Sequence, residues 1–245
     1  YSSLIVLDPN EKYSQDILFI LDDIGGGRNQ TSMKSMNHSD NMEIIGKIKT
    51  INGVQSENLD SVKLKKGERV KLRFLNASTA EVQNINVSQH EFIVTHLDGQ
   101  ALRAPYKTKK LELSPAQRVE VEIIANQTNE MIKNSTGSYI KLEYTDEVVK
   151  TPKSPFVPSE KPKLVSAKNF KYDREIILNS KMDHTKESMM SWTIDNQEFP
   201  NVKPIEIKSG QIYKLRIRNN DTANVHAMDH PMHLHGEHFQ VVSIN

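Results

Sequence analysis

Cysteine is absent from the 245-residue sequence, which excludes disulfides, thiolate metal ligands and cysteine nucleophiles. Aromatic residues make up only 6% of the chain and include a single tryptophan, so large aromatic anchors are few. No apolar run approaches the ~18 residues that a transmembrane helix needs, so none is predicted. The charges nearly cancel, with 32 Lys and Arg against 31 Asp and Glu, which argues against nucleic-acid binding or a polybasic membrane contact. No signal peptide is visible from Tyr1 onward, and a processed protein and a trimmed fragment would look the same in this respect.

The sequence does contain many short β-type runs separated by turn signals. In RVKLRF, Val70, Leu72 and Phe74 face one way while Lys71 and Arg73 face the other. Such alternation is typical of half-buried antiparallel strands. No long stretch has a helical period, so the sequence predicts an all-β fold of sandwiches or barrels. The clearest runs are SLIVLD, DILFILDD, EIIGKIKTING, RVKLRFLN, EFIVTHLDG, RVEVEIIAN, SYIKLEYT, REIILN, IYKLRIRN and HFQVVSI.

The chain also repeats itself on the scale of a domain. INGVQSENLDSVKLKKGERVKLRFLN, starting at Ile51, aligns without gaps with IDNQEFPNVKPIEIKSGQIYKLRIRN, starting at Ile194. Between the copies, residues 150–165 are rich in Pro, Lys and Ser and predict an extended linker. We therefore predict one β-domain within residues 1–149 and a second, truncated domain over residues 166–245.

The densest chemistry lies in DHPMHLHGEH, residues 229–238. On a strand, His233 and His235 would project from one face because they are two residues apart, and His230 would project roughly the other way. One short segment could then serve two metal sites, since neutral imidazole binds Cu, Zn, Fe and Ni. His238 could complete a site or face outward. The isolated histidines, which we interpret as structural or surface residues, are His90, His96, His184 and His226.

HPMHLHG, followed by Phe239, resembles the copper-binding strand in the last domain of the multicopper oxidases, the laccase-like enzymes. YSSLIVLDP is similar to the end of that family's first domain, and KGERVKLRFLNAS, HEFIVTHLDGQ and LSPAQRVEVEI are similar to its second. WTIDNQEF and SGQIYKLRIRN are similar to the start of the third. The resemblance implies tandem cupredoxin-like Greek-key β-sandwich or barrel domains. Residues 1–149 would hold the end of domain one and a copper-free middle domain, and residues 166–245 part of a copper-binding domain.

The resemblance also implies a role for each matching histidine. His230 would bind the type 1 copper, which takes single electrons from a phenol, another small reductant or a low-valent metal ion. His233 would bind the type 2 copper and His235 the type 3 pair, which together reduce dioxygen to water. The family's other ligands, among them a type 1 cysteine, have no counterpart here, so the chain alone is expected to lack oxidase activity. A periplasmic or extracellular location is implied in the same way.

Two other functions stay open at this point. HLHGEH also resembles the zinc motif of metallo-β-lactamase-fold hydrolases, with His233, His235 and His238 as ligands and Glu237 in place of an aspartate. That family needs further ligands downstream and a fold in which strands alternate with helices. The other alternative is a non-catalytic copper-handling β-sandwich with soft cuprous ligands. Those ligands would be Met33, Met36, His38, Met42, Met182, His184, Met189 and Met190.

Overall fold

In a computed structural model of the chain, nearly all of the regular secondary structure is β-strand, and the chain divides into two compact units, Tyr1–Lys163 and Leu164–Asn245. The one helical element with both ends in the described residues is a 3-10 turn, Ser56–Asn58, and no helix there is long and apolar enough to cross a membrane. The all-β prediction is therefore confirmed. Most of the predicted linker lies outside the described residues, so its bounds stay a prediction. The described residues are 4–25, 46–79, 81–126, 128–151, 163–165, 171–183, 185, 190–221, 230 and 232–244.

The first unit is a sandwich of a six-stranded and a five-stranded sheet. The six-stranded sheet has the order β2-β1-β4-β9-β6-β7, and the five-stranded sheet has the order β3-β11-β10-β5-β8. The strands are β1 (Gln15–Ile24), β2 (Ile48–Ile51), β3 (Val62–Lys66), β4 (Arg69–Asn76), β5 (Gln83–Asn86), β6 (Phe92–Leu97), β7 (Gln100–Thr108), β8 (Lys110–Leu113), β9 (Arg118–Ile124), β10 (Glu130–Asn134) and β11 (Tyr139–Val148).

One hydrophobic core joins the two sheets of this unit. Val70, Leu72 and Phe74 of β4 are buried in it, as their alternation predicts. Phe74 stacks on Phe19 with ring centroids 5.6 Å apart and meets Phe92 edge to face at 6.0 Å. Apolar side chains from β3, β5, β8, β10 and β11 complete the core from the second sheet.

The opposite face of β4 is also buried, which corrects the prediction of a strand half exposed to water. Lys71 and Arg73 are only 1% and 6% exposed. The Lys71 ammonium lies 2.7 Å from both carboxylate oxygens of Glu11, and the Arg73 guanidinium contacts Asp16 and Glu120 at 2.7 and 2.6 Å. β4 is a central strand, parallel to β1 and antiparallel to β9. The alternation thus separates an apolar core from a buried ionic layer.

The second unit contains one three-stranded sheet in the order β13-β12-β14. β12 (Arg174–Met182) pairs antiparallel with β13 (Met190–Ile194) and parallel with β14 (Leu215–Asn219). The predicted strands in SLIVLD and HFQVVSI are wrong for the described residues, because neither segment forms a backbone ladder with another strand there. A β-type pattern becomes a strand only where another strand pairs with it.

The two units share a local framework that follows the sequence repeat. Asn52 and Asp195, which occupy the same position in the two aligned copies, lie in equivalent turns with φ of 53° and 52°. Oδ1 of Asn52 accepts a hydrogen bond from Ile20 N of β1 at 2.7 Å, and Oδ1 of Asp195 accepts one from Ile177 N of β12 at 2.9 Å. Each of these two strands, β1 and β12, pairs with one antiparallel and one parallel neighbour. The repeat therefore encodes the same supersecondary unit twice.

Candidate metal centre

His230 packs against the sheet of the second unit, and its side chain is 8% exposed. Its Nε2 lies 2.7 Å from Oδ2 of Asp221, which follows β14 by two residues. Its ring meets Trp192 of β13 edge to face, with centroids 5.1 Å apart and planes at 79°. The described part of the chain gives its other ring nitrogen, Nδ1, no hydrogen-bond partner. His230 is therefore fixed through one nitrogen and can offer the other to a metal ion, which fits a copper ligand.

The carboxylate of Asp221 is itself fixed to the central strand. Ser180 of β12 donates its backbone N–H to Oδ1 at 2.8 Å and its hydroxyl to Oδ2, and Asp221 is 4% exposed. Burial raises the pKa of Asp221, but the hydrogen bonds from Ser180 and His230 outweigh it and hold the pKa below its usual range. The group is thus an ionised acceptor whose position the sheet determines.

His233 and His235 lie on an exposed segment that forms no strand within residues 232–244. Their ring centroids are 4.8 Å apart and their planes are at 89°. The expected side-by-side projection from a strand is therefore wrong here. Gly236 has φ of 86°, a conformation that favours glycine, and it bends the chain directly after His235. The two imidazoles are close enough to bind one ion or two neighbouring ions, and His230 does not join them in a three-ligand group.

His90 confirms the structural role that its isolation in the sequence suggested. Its Nδ1 lies 2.7 Å from Glu130 Oε2 and its Nε2 lies 2.6 Å from the Tyr144 hydroxyl, so both nitrogens are occupied. The ring stacks on Tyr144 at 6.0 Å. Burial raises the pKa of Glu130, but backbone N–H groups of Ser88 and Gln89 and the His90 ring outweigh it and lower the pKa. The three side chains form a buried hydrogen-bonded group, and neither ring nitrogen of His90 is available to bind a metal ion.

Only one group of three potential ligands occurs among the described residues, formed by Glu11, His96 and Glu120. Sequence reasoning missed it because its members come from distant segments. His96 Nδ1 lies 3.2 Å from Glu120 Oε2, but the Lys71 ammonium already contacts both carboxylates, at 2.7 Å and 2.6 Å. Burial lowers the pKa of His96 despite those carboxylates. Because a fixed cation already contacts both carboxylates, we interpret the group as an ion-pair network.

The structure gives less support to the ligand sets of the two alternative functions, the zinc hydrolase and the copper-handling protein. His233, His235 and His238 do not come within a common ligand distance in the described residues, and the helices of a metallo-β-lactamase fold are absent from those residues. Met182 is 42% exposed at the end of β12. The other predicted ligands and isolated histidines outside the described residues are Met33, Met36, His38, Met42, His184, Met189, His226 and the side chain of Met190.

Family models for multicopper oxidases match two stretches of the chain, residues 16–141 and residues 158–245, and the first alone spans just over half of it. The chain belongs to the multicopper oxidase family. This family uses type 1, type 2 and type 3 copper centres, and its members are copper oxidoreductases that act with oxygen. The predicted family and its copper cofactor are therefore confirmed.

The multicopper oxidase mco of Staphylococcus epidermidis is 29% identical over 198 residues, covering 80% of this chain and 39% of that protein. The multicopper oxidase MmcO of Mycobacterium tuberculosis is 23% identical over 209 residues, covering 78% and 39%. The crystal structure of Fet3p, a multicopper oxidase that functions in iron import, matches with a TM-score of 0.52 at 16% identity, covering 75% of this chain and 39% of that one. The cupredoxin-like fold is thereby confirmed. The chain spans about two fifths of the length of these relatives.

Proposed function

We propose that this chain supplies three histidine ligands to the copper centres of a laccase-like oxidase. His230 holds the type 1 copper, His233 the type 2 copper and His235 the type 3 pair. Bound copper supplies the chemistry, which is one-electron oxidation of a small reductant coupled to reduction of dioxygen to water. The residues of this chain contribute the position and orientation of the ligand nitrogens.

The observation that carries this proposal is the environment of His230. A surface histidine would expose both ring nitrogens, and a structural one such as His90 has both occupied. His230 is nearly buried, with Nε2 bound to a buried carboxylate and Nδ1 without a partner in the described residues. Ligand histidines in metalloproteins almost always have this arrangement, because the second nitrogen is used to orient the ring. The perpendicular pair His233 and His235 adds two exposed donors shortly after His230 in the sequence.

We further propose that the reductant is a phenol or a low-valent metal ion, and that the enzyme works in the periplasm or outside the cell. Both statements rest on the resemblance of HPMHLHG and the domain motifs to exported laccase-like enzymes. Oxidation rates with a phenol and with cuprous or ferrous ion, measured on the same preparation, decide between the substrate classes. Cell fractionation with an antibody against this chain tests the location.

The experiment is oxygen consumption by the copper-loaded protein encoded by the gene that contains this sequence. His230→Gln, His233→Gln and His235→Gln should each abolish oxygen uptake, because glutamine removes the ligand nitrogen at similar size. His238→Gln is the matched control, since this exposed histidine has no copper role in the proposal. If H238Q removes activity together with H233Q and H235Q while H230Q does not, the zinc-type ligand set is favoured and the oxidase assignment is wrong.

A copper-handling role is the second candidate, favoured by the exposure of His233, His235 and Met182. A handling protein binds cuprous ion tightly on its own, whereas an oxidase domain lacking its partner ligands binds copper weakly. Competition of the 245-residue chain with a cuprous chelator separates the two. Tight binding that is lost in a variant without the methionines would replace the oxidase proposal.

A further inference from the structure

The hydrogen bonds around Asp221 constrain which nitrogen of His230 can face a metal. Oδ1 accepts the backbone N–H of Ser180, a donor that cannot rotate or reverse its role. Oδ2 accepts the Ser180 hydroxyl and faces Nε2 of His230 at 2.7 Å. Because both carboxylate oxygens already accept hydrogen bonds from Ser180, a neutral imidazole that faces Oδ2 carries its hydrogen on Nε2 and its lone pair on Nδ1.

We propose that Asp221 is a positioning residue that fixes the tautomer and ring orientation of His230, so that Nδ1 is the atom presented to copper. The proposal rests on the function proposed above for His230. It adds a residue that carries no metal-binding signature in the sequence and lies nine positions before the histidine. Asp221 reaches His230 from the end of β14 and is held from β12, so the sheet itself sets the ring direction.

The internal repeat supports this role independently. When the gapless alignment is continued beyond its last pair, Asn76 and Asn219, Asp221 corresponds to Ser78. The two asparagines are equivalent, because Oδ1 of each accepts the backbone N–H two residues on, at 3.0 and 2.9 Å. In the first copy, the partners of the Ser78 hydroxyl among the described residues lie within its own loop, at Asn76 and Glu81. The same scaffold thus carries a carboxylate in the copy that contains His230 and a short hydroxyl in the other.

Asp221→Asn tests the inference with almost no change in shape. The Ser180 N–H requires the amide oxygen at the Oδ1 position, so the amide NH2 must take the Oδ2 position and face His230. A donor there forces Nε2 to accept, which moves the ring hydrogen to Nδ1. The ligand nitrogen is then blocked. Ser180→Ala is the matched control, because it removes one hydrogen bond to Oδ2 but leaves the carboxylate opposite Nε2.

The first measurement is the tautomer of His230 in the metal-free chain, by 15N NMR with labelled histidine, with the resonance assigned from a His230→Gln spectrum. The spectra should be recorded over a pH series, and the tautomer read on the alkaline plateau of the His230 shifts. We expect the Nε2–H form in the wild type and in S180A, and the Nδ1–H form in D221N. The Nδ1–H form in the wild type, or an unchanged tautomer in D221N, would overturn the inference.

The second measurement is quenching of Trp192 fluorescence by cupric ion. Trp192 is the only tryptophan of the chain and its ring lies 5.1 Å from that of His230, so it reports binding at this site. D221N should weaken cupric binding by about 10–100-fold, the range found when ligand-orienting partners are changed, and S180A by much less. Equal affinity of D221N and the wild type would contradict the inference. A tautomer switch in D221N without any quenching in the wild type would refute the proposed function of His230 and leave the orienting role of Asp221.

Discussion

Lys71 offers the sharpest stability prediction because its charge is buried in the ionic layer on the outer face of β4. Its side chain is 1% exposed, and its ammonium lies 2.7 Å from both oxygens of Glu11 and 2.6 Å from Glu120 Oε2. Lys71→Met keeps an unbranched, apolar stem close to the lysine stem in length and removes the terminal ammonium with its charge. Arg73 stays in contact with Glu120 at 2.6 Å, so Glu11 loses the larger part of its compensation.

The expected loss of folding stability in Lys71→Met follows from leaving the buried carboxylate of Glu11 without its cationic partner. Breaking a buried ion pair by removing one member costs about 3–5 kcal/mol. That is a large part of the ~5–15 kcal/mol that stabilises a typical domain. With a urea dependence of about 1–3 kcal/mol per molar, the unfolding midpoint should fall by roughly 2 M. The double variant K71M/E11Q should regain part of this loss, because glutamine removes the uncompensated charge.

Urea unfolding followed by far-UV circular dichroism measures this loss, while Trp192 fluorescence follows the second unit separately. Lys63→Met is the control, since Lys63 is paired with Glu143 in the same unit but its side chain is 64% exposed. An exposed pair contributes little, so K63M should leave the midpoint nearly unchanged. If K71M shifts the midpoint no more than K63M does, the ionic layer does not stabilise the sandwich and the reasoning is refuted.

Two further predictions concern the first unit. Gly67→Ala should destabilise it by about 1–3 kcal/mol more than Gly137→Ala, as measured by urea unfolding. Both glycines have positive φ, but of the two only Gly67 would place a Cβ against a backbone atom, 2.2 Å from the Val149 carbonyl oxygen. Equal losses of stability in the two variants would contradict this clash. The pKa of Glu130 is lowered in the folded state. Its contribution to folding stability is therefore complete above the unfolded carboxyl pKa of about 4.3, and it is lost as the pH falls through the folded-state pKa. Glu130→Gln should therefore lower stability at neutral pH and flatten the acid limb of the stability–pH profile, whereas an unchanged limb would show that the bonds to His90 and the neighbouring amides do not hold the carboxylate ionised.

Much of the fold follows from local pattern in the sequence. The run RVKLRFLN coincides with β4, and its apolar members form the core, because period-two alternation fixes which side chains share a face. The internal repeat predicted a duplicated domain, and the structure shows equivalent turns at Asn52 and Asp195, both with positive φ. HPMHLHG identified the candidate ligands because several histidines at short spacing are rare outside metal sites.

The rest could not be predicted because it depends on partners that are remote in the sequence. Lys71 and Arg73 look like solvent-facing residues until Glu11 and Glu120 cover them. The strand expected around His233 would need a neighbouring strand to pair with, and the sequence of one segment does not reveal whether such a neighbour exists. Asp221 belongs to no motif, and only the tertiary contact with His230 reveals it.

The central claim is that His230, His233 and His235 hold different copper centres, and spectroscopy of the copper-loaded protein encoded by the gene containing this sequence tests it most directly. Optical and electron paramagnetic resonance spectra should be recorded for the wild type and for the three single histidine-to-glutamine variants. We predict that H230Q loses only the blue type 1 signal, that H233Q loses the type 2 signal, and that H235Q perturbs the type 3 pair, with the type 1 signal kept in the last two. A type 1 signal that survives in H230Q, or one that is lost equally in all three variants, would contradict the account.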